Sequence, residues 1–144
     1  MAEFPRTDVG GVSLPRLLIG TNWFLGYSHT SRAQDKFIRD YQTAGRIADI
    51  LTVFAEAGVD AVMGPHMKGP LGEGLELAEQ RCGRPFTRII TPHFNILPDG
   101  PAEMEPARVF ADCRAQGATF CLPHQGITDA LTDRRAKRIR DIDT

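Results

Sequence analysis

The chain has 144 residues, of which 42% are hydrophobic and 24% charged, and its formal net charge is −1. This composition is typical of a single globular domain, and the near-neutral balance offers no field that would attract nucleic acid. The apolar runs are far shorter than the ~20 residues of a membrane helix, and segment 1–9 has no apolar signal core, so we expect a cytoplasmic protein without nucleic-acid or membrane partners.

The first elements along the chain are a hairpin, a strand and two helices. Gly10-Gly11 between short extended pieces predicts a small hairpin that closes the bottom of a barrel. The apolar run 16–20 reads as the first buried strand.

Ser31-Arg-Ala-Gln34 has the S-x-x-Q form of a capping box and predicts a helix through Tyr41. A second helix carries an apolar stripe that Gly58 ends, formed by Ile47, Ile50, Leu51 and Phe54.

The same alternation then repeats along the chain. We expect strands over 59–63, 87–91 and 118–122. Between them, helical stripes end at Gly83 and Gly117. A last helical pattern begins at Thr128 and continues through Leu131, Arg135, Arg138 and Ile142. Strands that alternate with helices at this spacing indicate βαβ units, hence an α/β fold with a parallel sheet.

Four strand–helix units are half of a (β/α)8 TIM barrel, which usually takes about 250 residues. We therefore predict that residues 1–144 form a single domain, the first half of such a barrel. Half a barrel would expose both edges of its sheet, which a stable monomer avoids. We expect self-association, or a C-terminal half that completes the barrel.

Three cysteines, Cys82, Cys113 and Cys121, are an odd number without a C-x-x-C pair. This pattern argues against a disulfide framework or a cysteine–zinc cluster and favours buried free thiols.

The strongest functional signal is a repeated Pro-His pair at the strand ends. Pro-His closes the second, third and fourth strands, which places His66, His93 and His124 just beyond them, and His29 follows the first strand. Neighbouring strands lie about 4.8 Å apart, so these imidazoles would line one wall of the barrel mouth, where barrel enzymes place their active sites. The preceding proline restricts the backbone that aims each histidine.

Two kinds of chemistry fit such a cluster. His66, His93 and His124 would bind a zinc-like divalent metal and leave an open position for an activated water. Alternatively, the imidazoles would act as general acids and bases or anchor an anionic substrate, because histidine titrates near neutrality. A purely structural reading, in which Pro-His merely ends each strand, is the third possibility. Further residues at the same mouth are predicted to bind a small polar substrate: Asn22, Trp23, His29, Asn95 and Gln125.

The segment Val12-Ser-Leu-Pro-Arg-Leu-Leu-Ile-Gly-Thr21 resembles the first strand of aldo-keto reductases, which begin with a hairpin and an L-P-x-x-G-x-G-T run. The resemblance implies the N-terminal half of an aldo-keto-reductase-like barrel. That family uses an aspartate and a tyrosine after strand two, a lysine at strand three and a histidine at strand four. Only His124 matches in position, since Gly64-Pro-His66 and Thr91-Pro-His93 occupy the other strand ends.

Three functions follow as expectations. The first is an enzyme that acts on a small polar metabolite with His66, His93 and His124, with or without a metal. The second is the NADP-dependent oxidoreductase that the resemblance implies, although the family's nicotinamide-binding elements lie mostly in the second half of its barrel. The third is a non-catalytic half-barrel that assembles with another half.

Overall fold

The chain begins with a hairpin that lies below the main sheet. A computed structural model describes residues 4–97, 100–133 and 138–139. β1 (Arg6–Val9) and β2 (Val12–Pro15) pair antiparallel. Gly10 and Gly11, with φ of +59° and +81°, form the turn between them, so the predicted hairpin is confirmed. Arg6 forms an ion pair of 3.0 Å with Asp60, which directly precedes the strand that begins at Ala61. This ion pair fixes the hairpin at the N-terminal end of the sheet.

Four short parallel strands form the main sheet. These are β3 (Ile19–Gly20), β4 (Ala61–Gly64), β5 (Thr87–Ile90) and β6 (Phe120–Cys121), paired in chain order. The predicted α/β fold with parallel units is thereby confirmed. The first strand is shorter than predicted, because Leu17 and Leu18 lie outside it and are exposed. Among the described residues, β3 and β6 each pair on one side only, so both edges of the sheet are open.

Helices connect consecutive strands of the sheet, and one more helix follows β6. They are α1 (Asn22–Leu25), α2 (Arg32–Tyr41), α3 (Ala44–Glu56), α4 (Pro70–Cys82), α5 (Pro106–Ala115) and α6 (Gln125–Leu131), with a 3-10 turn at Ala102–Met104. The predicted cap of α2 is confirmed, since Ser31 Oγ accepts a hydrogen bond of 3.2 Å from the Gln34 backbone N–H. None of the helices in the described residues is both long and apolar enough to cross a lipid bilayer.

The core lies between the sheet and the helices α3 and α4. Ile47 and Leu51 of α3, together with Leu75 of α4, are fully buried there. A Cβ at Gly74 would lie 2.7 Å from Ile47 Cγ2, so the close approach of the two helices requires a glycine at this position. Ile50, predicted to face the core, is partly exposed at the edge of this stripe.

The prediction for the last helix was wrong in extent. Instead of running from Thr128 towards Ile142, α6 spans Gln125–Leu131 and gives way to β7 (Thr132–Asp133), which pairs antiparallel with β8 (Arg138–Ile139). Ile127 is the buried residue of this helix, so little packing energy holds it, and periodicity alone does not decide its length. Arg135 and Ile142 of the predicted pattern lie outside the described residues.

Candidate functional site

A cleft of about 1100 Å³ opens at the C-terminal ends of the parallel strands. The loops that follow β3, β5 and β6 supply most of its polar wall. Six residues predicted from the sequence line it: Asn22, Trp23, His29, His93, His124 and Gln125. These six residues therefore line one cleft at the strand ends, as the sequence predicted.

His93 and His124 are in direct contact in the cleft. Their ring centroids lie 3.9 Å apart, with an angle of 33° between the ring planes. The backbone N–H of His124 donates a hydrogen bond of 3.0 Å to the carbonyl of Pro92, which continues the pairing of β5 with β6 beyond the strands themselves. Because both residues follow paired strands at equivalent positions, the sheet itself brings the two imidazoles together.

A backbone contact fixes the proton position of neutral His124. Its Nδ1 accepts a hydrogen bond of 3.0 Å from the backbone N–H of Gly126, in the first turn of α6. A nitrogen that accepts cannot carry a proton, so the neutral ring carries its proton on Nε2. The neutral ring of His124 therefore offers a hydrogen-bond donor at Nε2.

His93, in contrast, favours the neutral form that accepts a proton. Its ring is exposed to solvent on one side, while partial desolvation, followed by the charge of His124, lowers its pKa below the usual 6.5. Two adjacent imidazoles cannot both be charged without repulsion, so the pair favours a neutral His93 near neutral pH. A neutral imidazole with a free nitrogen is a proton acceptor.

His29 contacts Asn22 across the mouth of the cleft. Asn22 Nδ2 lies 3.0 Å from His29 Nε2, and because an amide NH2 group only donates, the imidazole nitrogen accepts. His29 adopts φ of +58°, a left-handed conformation that is uncommon for residues other than glycine. Strained backbone of this kind is often found at functional sites. The side chains of Trp23 and Tyr27 are exposed next to this pair and form part of the cleft wall.

His66 does not join the other histidines in the cleft. It lines a neighbouring cavity of about 360 Å³ together with Arg108 and Asp112. The backbone N–H of Met67 donates a hydrogen bond of 2.7 Å to Gln116 Oε1, which draws the loop after β4 towards the end of α5. Burial, followed by the charge of Lys68, lowers the pKa of His66. His93 lines both cavities and stands between them.

Asn95 also lies outside the cleft. Its Nδ2 donates a hydrogen bond of 2.8 Å to the carbonyl of Pro101 and a longer one of 3.4 Å to Glu105 Oε1. A Cβ at Gly100 would come within 2.1 Å of Asn95 Cγ, so the amide fills the inside of its own loop. This placement gives Asn95 a role in holding the loop before α5, and its side chain does not line the cleft.

The predicted three-histidine metal centre does not form in this geometry. His66 lines a different cavity from His124, and the contact between His93 and His124 is through their rings. Among the residues that the structure describes, no group of three or more His, Cys, Asp or Glu side chains is arranged to hold a metal ion.

Two residues of the cleft, Thr21 and Asp129, were not among the site residues predicted from the sequence. Thr21 is buried, its hydroxyl donates a hydrogen bond of 3.2 Å to the carbonyl of Met63, and it packs against Gly64. Asp129 of α6 lines the cleft near His124. Its position one turn after a Pro-His strand end is a signal that could have identified it.

The pKa shifts of His66 and His93 predict how stability depends on pH. Both folded-state pKa values lie below 6.5, so the unfolded state binds more protons as the pH falls through this value. The free energy of unfolding should therefore be highest above pH 6.5 and decrease towards the folded-state pKa values. Urea unfolding at pH ~7.5, ~6 and ~5 tests this expectation. In a His66→Asn/His93→Asn variant the decrease should be smaller, and an unchanged slope in that variant would contradict the assignment.

Comparisons with known proteins leave the family of the chain open. The resemblance of segment 12–21 to aldo-keto reductases stays a prediction, as do the activity and the nicotinamide cofactor that it implies. No protein-family model, no curated protein and no solved structure matches the chain.

Proposed function

We propose that the chain is the first half of a (β/α)8 barrel enzyme that performs general acid–base catalysis on a small polar metabolite. The observation that carries this proposal is the contact between His93 and His124 in a cleft at the C-terminal strand ends. This is the face on which barrel enzymes place their active sites.

The two imidazoles have complementary roles in this proposal. His93, whose pKa is lowered by partial burial and by the charge of His124, accepts a proton from the substrate. His124, whose Nδ1 accepts from the Gly126 N–H, offers its Nε2–H as a hydrogen-bond donor to the substrate oxygen on which negative charge develops. A positioned base contributes about 10²–10⁴-fold to the rate. A positioned hydrogen-bond donor to such an oxygen contributes about 10²–10³-fold.

The remaining polar residues of the cleft suit substrate binding. Asn22 and Gln125 offer amide groups, which both donate and accept hydrogen bonds. Trp23 provides an exposed apolar wall, and the residue is 56% exposed, which leaves a surface for a ligand to cover. Few polar groups on a partly apolar wall are typical of small-molecule sites.

The open sheet edges support the half-barrel part of the proposal. β3 and β6 each pair on one side only within the described residues, and Leu18 and Leu122 next to them are exposed. An unpaired edge beside apolar side chains favours association, so we propose that a second copy or a C-terminal half completes the barrel. Sedimentation should then give a particle of at least twice 15.9 kDa. A well-folded 15.9 kDa monomer at micromolar concentration would count against this part.

Consumption of metabolites from defined pools, followed by mass spectrometry, tests the catalytic part. The wild-type chain should deplete at least one small polar compound, and a His93→Asn/His124→Asn variant of equal stability should not. A reaction that requires NADPH would favour the aldo-keto-reductase-like alternative. If the variant and the wild type behave alike on every pool, the non-catalytic half-barrel is favoured.

A further inference from the structure

Two of the three cysteines lie in consecutive elements, α5 and β6. Cys113 lies on α5 and is 3% exposed, while Cys121 ends β6 and is exposed to solvent. Their thiols lie close enough to interact electrostatically. Cys82, at the end of α4, has intermediate exposure and provides an internal comparison.

The sheet register explains this contact. Cys121 is the parallel partner of Ile90, so both side chains point to the same face of the sheet. Ile90 is fully buried in the core cluster that also contains Cys113, which identifies this face as the one covered by helices. Cys121 therefore projects towards α5, and it remains exposed because β6 is an open edge.

The connection between helix and strand is also tight. Gly117, with φ of +76°, reverses the chain, and the Ala118 N–H donates a hydrogen bond of 3.1 Å to the carbonyl of Cys113. This bond ends α5 and turns the chain towards β6. A disulfide needs a Cα separation of about 4.4–6.8 Å, so the proposal requires the end of β6 and α5 to come within this distance.

We propose that Cys113 and Cys121 are a reversible redox pair that closes to a disulfide on exposure to hydrogen peroxide. The Cys121 sulfur attacks one peroxide oxygen, the O–O bond breaks, and a sulfenic acid and one water form. The Cys113 sulfur then attacks the sulfenic sulfur, the S–S bond forms, and the S–O bond breaks. The hydroxyl group leaves with the Cys113 proton as a second water, so two thiols and one peroxide become one disulfide and two waters.

The environments of the two thiols suit this order of events. The exposed Cys121 meets the oxidant first, and the buried Cys113 is protected from it. Burial, with a smaller contribution from Cys121, raises the pKa of Cys113 to about 11. Because the thiolate is the attacking species, closure should become faster as the pH rises through the neutral range.

A disulfide at this position would also affect the cleft. Leu122, Pro123 and His124 follow Cys121 directly, and all three line the cleft. Oxidation would tie the end of β6 to α5 and restrict the segment that carries His124. The redox inference does not depend on the proposed function, because disulfide formation is measured without any substrate.

Peptide mapping of the oxidised full-length chain tests the proposal. The folded protein is treated with a small molar excess of hydrogen peroxide, quenched in acid, unfolded, alkylated and digested with trypsin. Cleavage after Arg114 separates the two cysteines, so the disulfide should join peptides 109–114 and 115–134. The intact mass should fall by about 2 Da, dithiothreitol should restore it, and Cys82 should remain fully alkylated.

Serine variants and unfolded protein provide the controls. Cys82→Ser should form the same link, whereas Cys121→Ser should form none and leave Cys113 open to alkylation after unfolding. Chain oxidised in urea should yield links to Cys82 as well, because unfolding removes the selective contact. The proposal is overturned if the folded wild type gives the same mixture as the unfolded chain. It is likewise overturned if Cys121 is oxidised only to a sulfinic acid or links two chains while Cys113 stays reduced.

Discussion

Replacing Gly64 with alanine is expected to lower the free energy of unfolding by about 2–4 kcal/mol. The new Cβ would lie 1.8 Å from Thr21 Oγ1 and 3.0 Å from Thr21 Cβ, so Thr21 would have to move. Thr21 is 1% exposed and donates a hydrogen bond of 3.2 Å to the carbonyl of Met63. The substitution therefore combines overpacking with the loss of a buried hydrogen bond at the base of the cleft.

Gly20→Ala is the matched control for this prediction. Gly20 also ends a strand and lines the cleft, yet a Cβ there would meet no atom within 4 Å. Its effect should stay within about 0.5 kcal/mol. Urea unfolding followed by circular dichroism measures both variants. Adding Thr21→Ala to Gly64→Ala should cost less than the sum of the single losses, and equal losses for the two glycine variants would contradict the explanation.

We expect His124→Asn to lower kcat/KM for the metabolite found by pool screening by about 10²–10³-fold. Asparagine keeps a polar side chain that can still accept from the Gly126 N–H, but it has no proton to give at the position of Nε2. The free energy of unfolding should change little, because His124 is only half-buried. A large loss of rate without a loss of stability separates a chemical role from a structural one.

His66→Asn distinguishes the histidine pair from the three-histidine cluster that the sequence suggests. Because His66 lines the neighbouring cavity, its replacement should reduce kcat/KM far less than that of His124. Equal losses for both variants would restore the cluster hypothesis and refute the pair. The measurement is a steady-state rate for each variant at the same pH and the same fraction of folded protein.

Gly126→Ala tests whether the placement of the His93 and His124 rings matters for the rate. A Cβ there would lie 3.1 Å from His93 Cε1 and 3.3 Å from His124 Nδ1, so both rings would have to shift by a few tenths of an ångström. The variant keeps both imidazoles and the backbone N–H. A reduced rate with an altered pH profile would indicate that ring placement matters, whereas an unchanged rate would show that the pair tolerates such a shift.

Several elements could be predicted because they depend on chemistry within a few residues. Gly10-Gly11 identified the hairpin, because this pair of residues favours the left-handed turn. Ser31 marked the start of α2 and Gly83 the end of α4, each through a terminal hydrogen bond made within a few residues. The alternation of strands and helices implied a parallel sheet, and three Pro-His pairs indicated where strands end.

Which of these predicted residues come together depends on the three-dimensional packing. Pro-His fixes the end of a strand, but the loop that follows decides where the imidazole lies, and for His66 that loop is held by Gln116, 50 residues further along the chain. The contact between Cys113 and Cys121 likewise requires the register of β5 with β6. Long-range packing sets such relations, and a local pattern carries no information about a partner that is distant in sequence.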